Sequence, residues 1–316
     1  RKSVSQKSTS TPCANTPAWR CKVPAEKHTP MLMLPIAAWP GETRRQLTGL
    51  FTDIDDTLTT GGVITPDALQ ALADLRAAGL TVFAITGRPI GWCQLFANGD
   101  DRRGIEPWPV DAIVAENGAV AFAPEKLDKN QLKPLSNKRE MLSKVYQQSL
   151  NVRARNQSRM QQIAALVQRS VPGVQLSRDS PGRETDLAFD YAEFARLPPE
   201  TVQQVLGVLQ GAGMQTTVSS IHIHGCFGDF NKWQGACWIV RAVLGRDLTQ
   251  ELDRWAFVGD SGNDETMFAH FPHSIGVANI QHCAARLKHL PRYVTAADRG
   301  TGFAEVARHI LSTRAA

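Results

Sequence analysis

The sequence predicts an α/β protein: a doubly wound parallel sheet with a smaller α+β module inserted into it. Three observations carry the prediction. From about Leu47, short apolar runs alternate with amphipathic stretches of helical length, the rhythm of strands separated by helices. The runs are apolar throughout rather than at every second residue, as strands covered on both faces must be. The rhythm breaks over residues 123–225 and resumes afterwards, so half of the sheet follows an insertion.

In chain order, GLFTDI (49–54) reads as a buried strand, TPDALQALADLRAAG (65–79) as a helix ended by Gly79, and LTVFAIT (80–86) and VDAIVAE (110–116) as strands. The segment from Thr59 to Ile64, with Gly61 and Gly62, is either a flexible flap or an ordinary turn. The insertion holds a long polar helix (about 136–169), then VQLSRDS, ETDLAFDYAEF, a helix at PPETVQQVLGVLQGAG, and TTVSSIHIHG. That α-β-β-α-β-β order suits a separate antiparallel module. NKWQGACWIVRAVLG (231–245) is then a helix, RWAFVGD (254–260) a strand, NDETMFAHF a helix, HSIGVA a strand, and FAEVARHILS a closing helix. The expected architecture is thus a Rossmann-like core at 46–122 and 226–316, an inserted module at 123–225, and a disordered basic tail at 1–45.

The 316 residues, 42% of them hydrophobic, suffice for a core domain and a second module with its own core. The net charge of +5 would suggest a nucleic-acid partner if it were spread over the folded part. It is not: residues 1–45 hold eight basic and two acidic residues, which leaves 27 basic and 28 acidic in the rest. No nucleic-acid partner is expected. No apolar run reaches the ~18 residues of a membrane span, and MLMLPIAAW contains Pro35 and lacks a small-residue cleavage pattern. The six cysteines form no CxxC pair, so a metal cluster or disulfide framework is not expected and a reducing cytoplasm fits best.

The chemistry gathers at predicted strand ends, where open α/β sheets bind ligands. The first strand ends in Asp53-Ile54-Asp55-Asp56-Thr57, and Asp53 and Asp55 share a side by period two. RWAFVGD ends at Asp260, followed by Ser261, Gly262, Asn263 and Asp264. So many carboxylates repel one another unless a cation neutralises them, and hard oxygen ligands suit Mg²⁺. LTVFAIT delivers Thr86, Gly87 and Arg88, a hydroxyl and backbone amides suited to phosphate oxygens. Lys232, opening the helix after the insertion, can supply the positive charge that phosphoryl chemistry needs.

DxDxT at 53–57, Thr-Gly-Arg at 86–88, Lys232 and GDxxND at 259–264 resemble, in that order, the four motifs of the haloacid dehalogenase superfamily. The insertion follows Glu116-Asn117-Gly118-Ala119 and lies between the second and third motifs. This placement resembles the subfamily with a type-B cap, which includes sucrose, trehalose and mannosylglycerate phosphate phosphatases and Cof-like sugar phosphatases. The resemblance implies a Mg²⁺-dependent phosphatase for a small phosphorylated metabolite, a sugar phosphate foremost. It implies that Asp53 is the nucleophile that becomes an aspartyl-phosphate and that Asp55 protonates the leaving alcohol and then activates water. It further implies metal ligation by Asp53, the Asp55 backbone carbonyl and Asp260, with Asp264 direct or through water. Thr86, Gly87, Lys232 and Asn263 would hold the phosphoryl group. One departure is Asp56, where many members have Gly.

In the insertion, Leu187, Phe189 and Tyr191 fall on one strand face, and Glu184, Asp186 and Asp190 on the other. His222 and His224 likewise oppose Ile221 and Ile223. These polar faces either read substrate hydroxyls or are solvated strand surface; the histidine pair alone is a weak metal signal. Trp233 and Trp238 are expected to pack their helix rather than stack on a sugar. Two rivals remain. A phosphomutase of the same superfamily is the nearer one, although Thr-Gly-Arg-Pro looks more like the phosphatases. A phospho-accepting signalling receiver is the remoter, since its acceptor follows the third strand and it needs no insertion. Neither GxGxxG nor GxxxxGK[ST] occurs.

Overall fold

The computed structural model describes residues 33–124 and 141–314. Its elements are β1 (Leu34–Pro35), α1 (Gly41–Arg45), β2 (Gly49–Thr52), β3 (Thr59–Thr60), β4 (Val63–Ile64), α2 (Pro66–Ala77), β5 (Thr81–Ile85), α3 (Ile90–Asn98), β6 (Ala112–Ala115), β7 (Val120–Ala123) and β8 (Ser143–Tyr146). After these come α4 (Leu150–Ser170), β9 (Asp186–Asp190), α5 (Pro199–Gly211), β10 (Gln215–Val218) and β11 (His222–Cys226). The chain closes with α6 (Lys232–Ile239), β12 (Trp255–Gly259), α7 (Glu265–His270), β13 (His273–Gly276), β14 (Tyr293–Val294) and α8 (Arg299–Leu311).

The main sheet runs β1-β14-β13-β12-β2-β5-β6-β7-β8, parallel from β1 to β6 and antiparallel at β7 and β8. It is the expected doubly wound sheet. The chain moves outward from β2 through β5 and β6, then returns on β2's other side at β12, which makes β2 the switch point. Successive residues of β2 serve opposite faces: Leu50 joins a core with α2, α3 and α8, and Phe51 joins Phe83, Trp255 and Phe257 under α6 and α7. Gly49 is required where it stands, because a Cβ there would lie 2.2 Å from the Trp255 ring.

Residues 33–45, expected in the tail, are part of the core: β1 pairs with β14, and Ile36 and Trp39 are buried. Trp39 stacks on Tyr293 at 5.7 Å. The apolar side chains of Met33, Ile36 and Trp39 are what make this packing possible. The rest of the expected tail, residues 1–32, lies outside the described residues.

The inserted module is smaller than 123–225. Ala123 ends β7, and β8 still belongs to the main sheet, so the module's first element is α4. The expected helix start at 136 moves to Leu150; residues 125–140 lie outside the described ones. VQLSRDS makes only a bridge, Leu176 with Phe189, instead of a strand. The module sheet is therefore three-stranded and antiparallel, β10-β11-β9, covered by α4 and α5 through Phe189, Ile223, Val167 and Leu209. The Thr59–Ile64 segment is a hairpin of β3 and β4, with Gly61 and Gly62 at φ +61° and +80°. Among the described residues, no helix is long and apolar enough to cross a membrane.

Candidate active site

The carboxyl ends of β2, β5 and β12 meet beneath the module. The backbone turns sharply after β2, with Ile54 O accepting from the amides of Leu58 at 2.9 Å and Thr59 at 3.1 Å. Asp56 sits in this turn at φ +56°, a left-handed conformation that Gly adopts freely and Asp less so. This accounts for the departure noted in the sequence. Two side chains hold the turn: Asn279 Nδ2 donates to Asp56 O at 3.0 Å, and Arg299 Nε to Asp56 Oδ1 at 2.9 Å.

Asp53, Asp260 and Asp264 present oxygens within 4.8 Å of one another, all buried. Lys232, fully buried, donates to Asp53 Oδ1 at 2.5 Å and to Asp264 Oδ1 at 2.7 Å. Asn231 caps the start of α6 by accepting from the Gln234 amide at 2.9 Å, which fixes Lys232 in the first turn. Gly235 lets α6 approach the 116–118 turn, since a Cβ on it would lie 2.5 Å from Gly118 Cα.

The electrostatics are those of charges crowded away from water. Burial raises the Asp53 pKa to about 7, against the pull of Lys232 and with the push of Asp264 and Asp55. Burial, then Asp53 and Asp264, lift Asp260 well above the carboxylate range. Burial works against the Lys232 ammonium, yet Asp264 and Asp53 hold its pKa above the ordinary value. The cluster also contains an orphan: among the described residues, Asp260 Oδ1 is buried without a hydrogen-bond partner, while Oδ2 accepts from Asn279 at 3.0 Å. An unpartnered carboxylate oxygen among oxygen donors fits a hard cation. Asp264 fits less directly: its Oδ2 accepts from the amides of Asp260 and Ser261 at 2.9 and 3.0 Å, and its Oδ1 is held by Lys232.

The Asp55 side chain stands apart from this cluster. Arg88 Nε and Nη2 grip its carboxylate at 2.9 to 3.0 Å. The same guanidinium reaches the module at Asp179 (3.3 Å) and Glu193 (3.1 Å). Thr86 and Gly87 line the cleft between sheet and module together with Asp53, Asp55 and Asn263. Two of the amides expected to be free there are paired, Thr86 N with Val114 O at 2.8 Å and Arg88 N with Thr86 Oγ1 at 3.0 Å. Asn263 donates to Asn117 Oδ1 at 3.1 Å.

The module side is built from Ser219, Ser220, Ile221, His222 and His224. His222 Nε2 lies 2.8 Å from Glu193 Oε2, and His224 Nδ1 lies 3.0 Å from Asp186 Oδ2. These histidines are buried, so the solvated-surface alternative does not hold for them. The three acidic residues proposed beside them separate. Asp186 is buried behind His224 and gripped by Arg183. Asp190 is turned away to accept from the amides of Glu193, Phe194 and Ala195 at 2.9 to 3.2 Å. Glu184 accepts from Lys144 Nζ and Tyr146 on β8 at 2.8 and 2.6 Å, outside the cleft lining.

Sequence reasoning left several participants without a role. Glu116, buried at φ +49°, receives the amides of Ile90 (3.1 Å), Glu184 (3.0 Å) and Thr185 (2.6 Å), tying module to core. Burial and Asp186 raise its pKa to about 7 despite those donors. Its place in the Glu-Asn-Gly-Ala run at a strand end was the available signal. Arg88 had the same signal, whereas Asn279, Glu193 and Arg299 had none. Trp233 stacks on His270 at 4.2 Å and Trp238 packs on the same core, as expected of helix-packing residues.

Residues 50–175 match the family of haloacid dehalogenase-like hydrolases. No curated protein matches the sequence. Among solved structures, a Thermoplasma acidophilum protein is 17% identical with TM-score 0.60, over 84% of this chain and 98% of its own. Sucrose-phosphatase from Synechocystis sp. PCC6803, solved with sucrose and phosphate, is 17% identical with TM-score 0.57 over the same shares. A sugar phosphatase of HAD subclass IIB is 17% identical with TM-score 0.54, over 84% and 99%. At these identities the likeness is one of fold.

Proposed function

We propose that this haloacid dehalogenase-like hydrolase is a Mg²⁺-dependent phosphomonoesterase for a small phosphorylated metabolite, with sugar phosphates as the favoured class. One observation carries the reading: a buried carboxylate, Asp53, is held by Lys232 beside the orphaned oxygen of Asp260, while a second, Asp55, stands off that cluster on Arg88. This division of labour suits a nucleophile and a separate proton carrier.

Asp53 attacks phosphorus through a side-chain carboxylate oxygen, forming an acyl phosphate as the ester P–O bond breaks. Asp55 parts from Arg88 and takes up a proton as substrate enters, then gives that proton to the departing alkoxide. The resulting Asp55 carboxylate takes a proton from water as that water attacks phosphorus, which frees phosphate and restores Asp53. Lys232, Thr86, Gly87 and Asn263 hold the phosphoryl oxygens through both steps. Asp53, the Asp55 carbonyl and Asp260 would hold Mg²⁺, which supplies charge neutralisation for the approach of a phosphate dianion. Asp264 fixes Lys232 and the 260–261 amides beside that site and would join it directly or through water.

The test is phosphate release from a panel of phosphorylated mono- and disaccharides and p-nitrophenyl phosphate. We expect Mg²⁺-dependent turnover, abolished by chelator, with at least one sugar ester preferred. Undiminished turnover in metal-free buffer, or none on any phosphomonoester, contradicts the proposal.

A further inference from the structure

Resting on the phosphatase reading, we infer that His224 Nε2 is the acceptor for a hydroxyl on the substrate's leaving group, close to the ester oxygen. The enzyme thereby selects phosphorylated polyols and sugars over plain alkyl phosphates. The argument begins with an unsatisfied atom. His224 is buried, 3% exposed, and its Nε2 has no hydrogen-bond partner among the described residues. A buried polar atom without a partner costs about as much as a lost hydrogen bond, and of the buried atoms left unpartnered among the described residues, His224 Nε2 is the one on a residue that lines the cleft, where a ligand can reach it.

Its neighbours fix what that atom can do. Nδ1 lies 3.0 Å from Asp186 Oδ2. Arg183 Nη1 grips the same carboxylate at 2.9 and 3.1 Å and also donates to Gly87 O at 2.9 Å. An ionised carboxylate only accepts, so Nδ1 carries the proton and Nε2 is left with a lone pair. Burial, followed by the charges of Arg183 and His222, depresses the His224 pKa and keeps the ring neutral. The ligand atom at Nε2 is therefore a donor. Arg183 behind the ring and Arg88 across the cleft disfavour an ammonium, which leaves a hydroxyl as the fitting donor.

Gly87 sets the location. A Cβ at position 87 would lie 3.2 Å from His224 Nε2 and Cε1, so the imidazole edge lies against the turn whose Thr86 and Gly87 cradle the phosphoryl group. A hydroxyl bound at Nε2 must then sit within a few bonds of the phosphoester. His222, its other ring edge paired to Glu193, borders the same end of the cleft.

Glycerol 1-phosphate and n-propyl phosphate differ only in hydroxyls and provide the probe. In the wild-type enzyme with Mg²⁺, kcat/KM for glycerol 1-phosphate should exceed that for n-propyl phosphate about 10- to 100-fold, since the analogue leaves Nε2 unpaired. In His224→Phe the ratio should fall toward one, while His224→Gln, whose amide oxygen remains an acceptor, should keep part of it. A ratio near one in the wild type, as when a water permanently satisfies Nε2, overturns the inference without any variant having to fold. A full ratio retained in His224→Phe overturns it equally. Wild-type p-nitrophenyl phosphate turnover is measured alongside: its absence refutes the phosphatase reading itself, and its presence with a ratio near one refutes only the hydroxyl acceptor.

Discussion

Removing the divalent cation should leave a protein whose stability falls as pH rises through the acid-to-neutral range. Asp53, Asp260 and Asp264 crowd within 4.8 Å around one ammonium. Burial lifts Asp53 to about 7 and Asp260 well above the carboxylate range, whereas an unfolded Asp titrates near ~3.9. A folded pKa above the unfolded one means that the native state holds protons the unfolded chain has released. That contribution is complete below about pH 4 and is lost as pH climbs toward 7. For Asp53 alone the ceiling is ~4 kcal/mol, at about 1.4 kcal/mol per tenfold change. Relaxation and water entry reduce this to roughly 2 kcal/mol, or about 3–4 °C in Tm for a chain of this size. Mg²⁺ binds the ionised carboxylates and should reverse the loss, by ~2.7 kcal/mol at a hundredfold excess over Kd. The assay is thermal unfolding at pH 5.5 and 7.5, with chelator or with Mg²⁺. Asp260→Asn, which deletes one charge of the cluster, should raise the metal-free Tm at pH 7.5 more than at pH 5.5. Equal Mg²⁺ stabilisation at both pH values, or a metal-free Asp260→Asn protein less stable at pH 7.5 than wild type, would refute the reasoning.

Two further outcomes follow from the loop after β2. Asp55→Asn should slow turnover of alkyl phosphates about 10²–10⁴-fold, the usual worth of general acid-base catalysis. Single-turnover formation of the phosphoenzyme from p-nitrophenyl phosphate should suffer less, because the phenolate leaves without a proton; equal losses for both substrates contradict the role. Asp56→Gly should relieve the left-handed backbone while losing the half-exposed Arg299 pair, so urea unfolding should place it within ~1 kcal/mol of wild type. Asp56→Ala, which loses the pair and keeps the strain, should be less stable by about 1–2 kcal/mol; a glycine variant as unstable as the alanine one would show that the backbone carries no strain.

The candidate site was legible where chemistry follows strand order. Asp53, Thr86 and Asp260 each come directly after an apolar run, and a parallel sheet brings such ends to one edge. Lys232 was placed in the same way, as the residue that opens the helix after the insertion. What escaped depends on contacts that no local pattern encodes. Asn279 and Arg299 reach back more than two hundred residues to the Asp56 turn. Period two put Asp186 and Asp190 on one strand face, but it does not say whether a carboxylate at a strand end looks across the cleft or folds onto amides three to five residues on, as Asp190 does. The module's lower edge was misplaced because β8 is a short strand of SKVY, polar enough to pass for part of the helix that follows. Trp39 shows the converse: a basic, proline-rich surround hid an aromatic residue that, with Ile36 and the β1–β14 pairing, docks residues 33–45 on the core.

The most direct measurement of the central claim is the covalent state of Asp53 during turnover. Enzyme mixed with p-nitrophenyl phosphate and Mg²⁺ and quenched in acid before the first cycle ends should carry one phosphoryl group on the peptide containing Asp53. The adduct should be cleaved by hydroxylamine, as an acyl phosphate is, and accumulate further in Asp55→Asn, whose second step lacks its base. Asp53→Asn should neither acquire the label nor turn over substrate. Full turnover by a folded Asp53→Asn protein, or a phosphoryl group trapped on any other residue, would contradict the account.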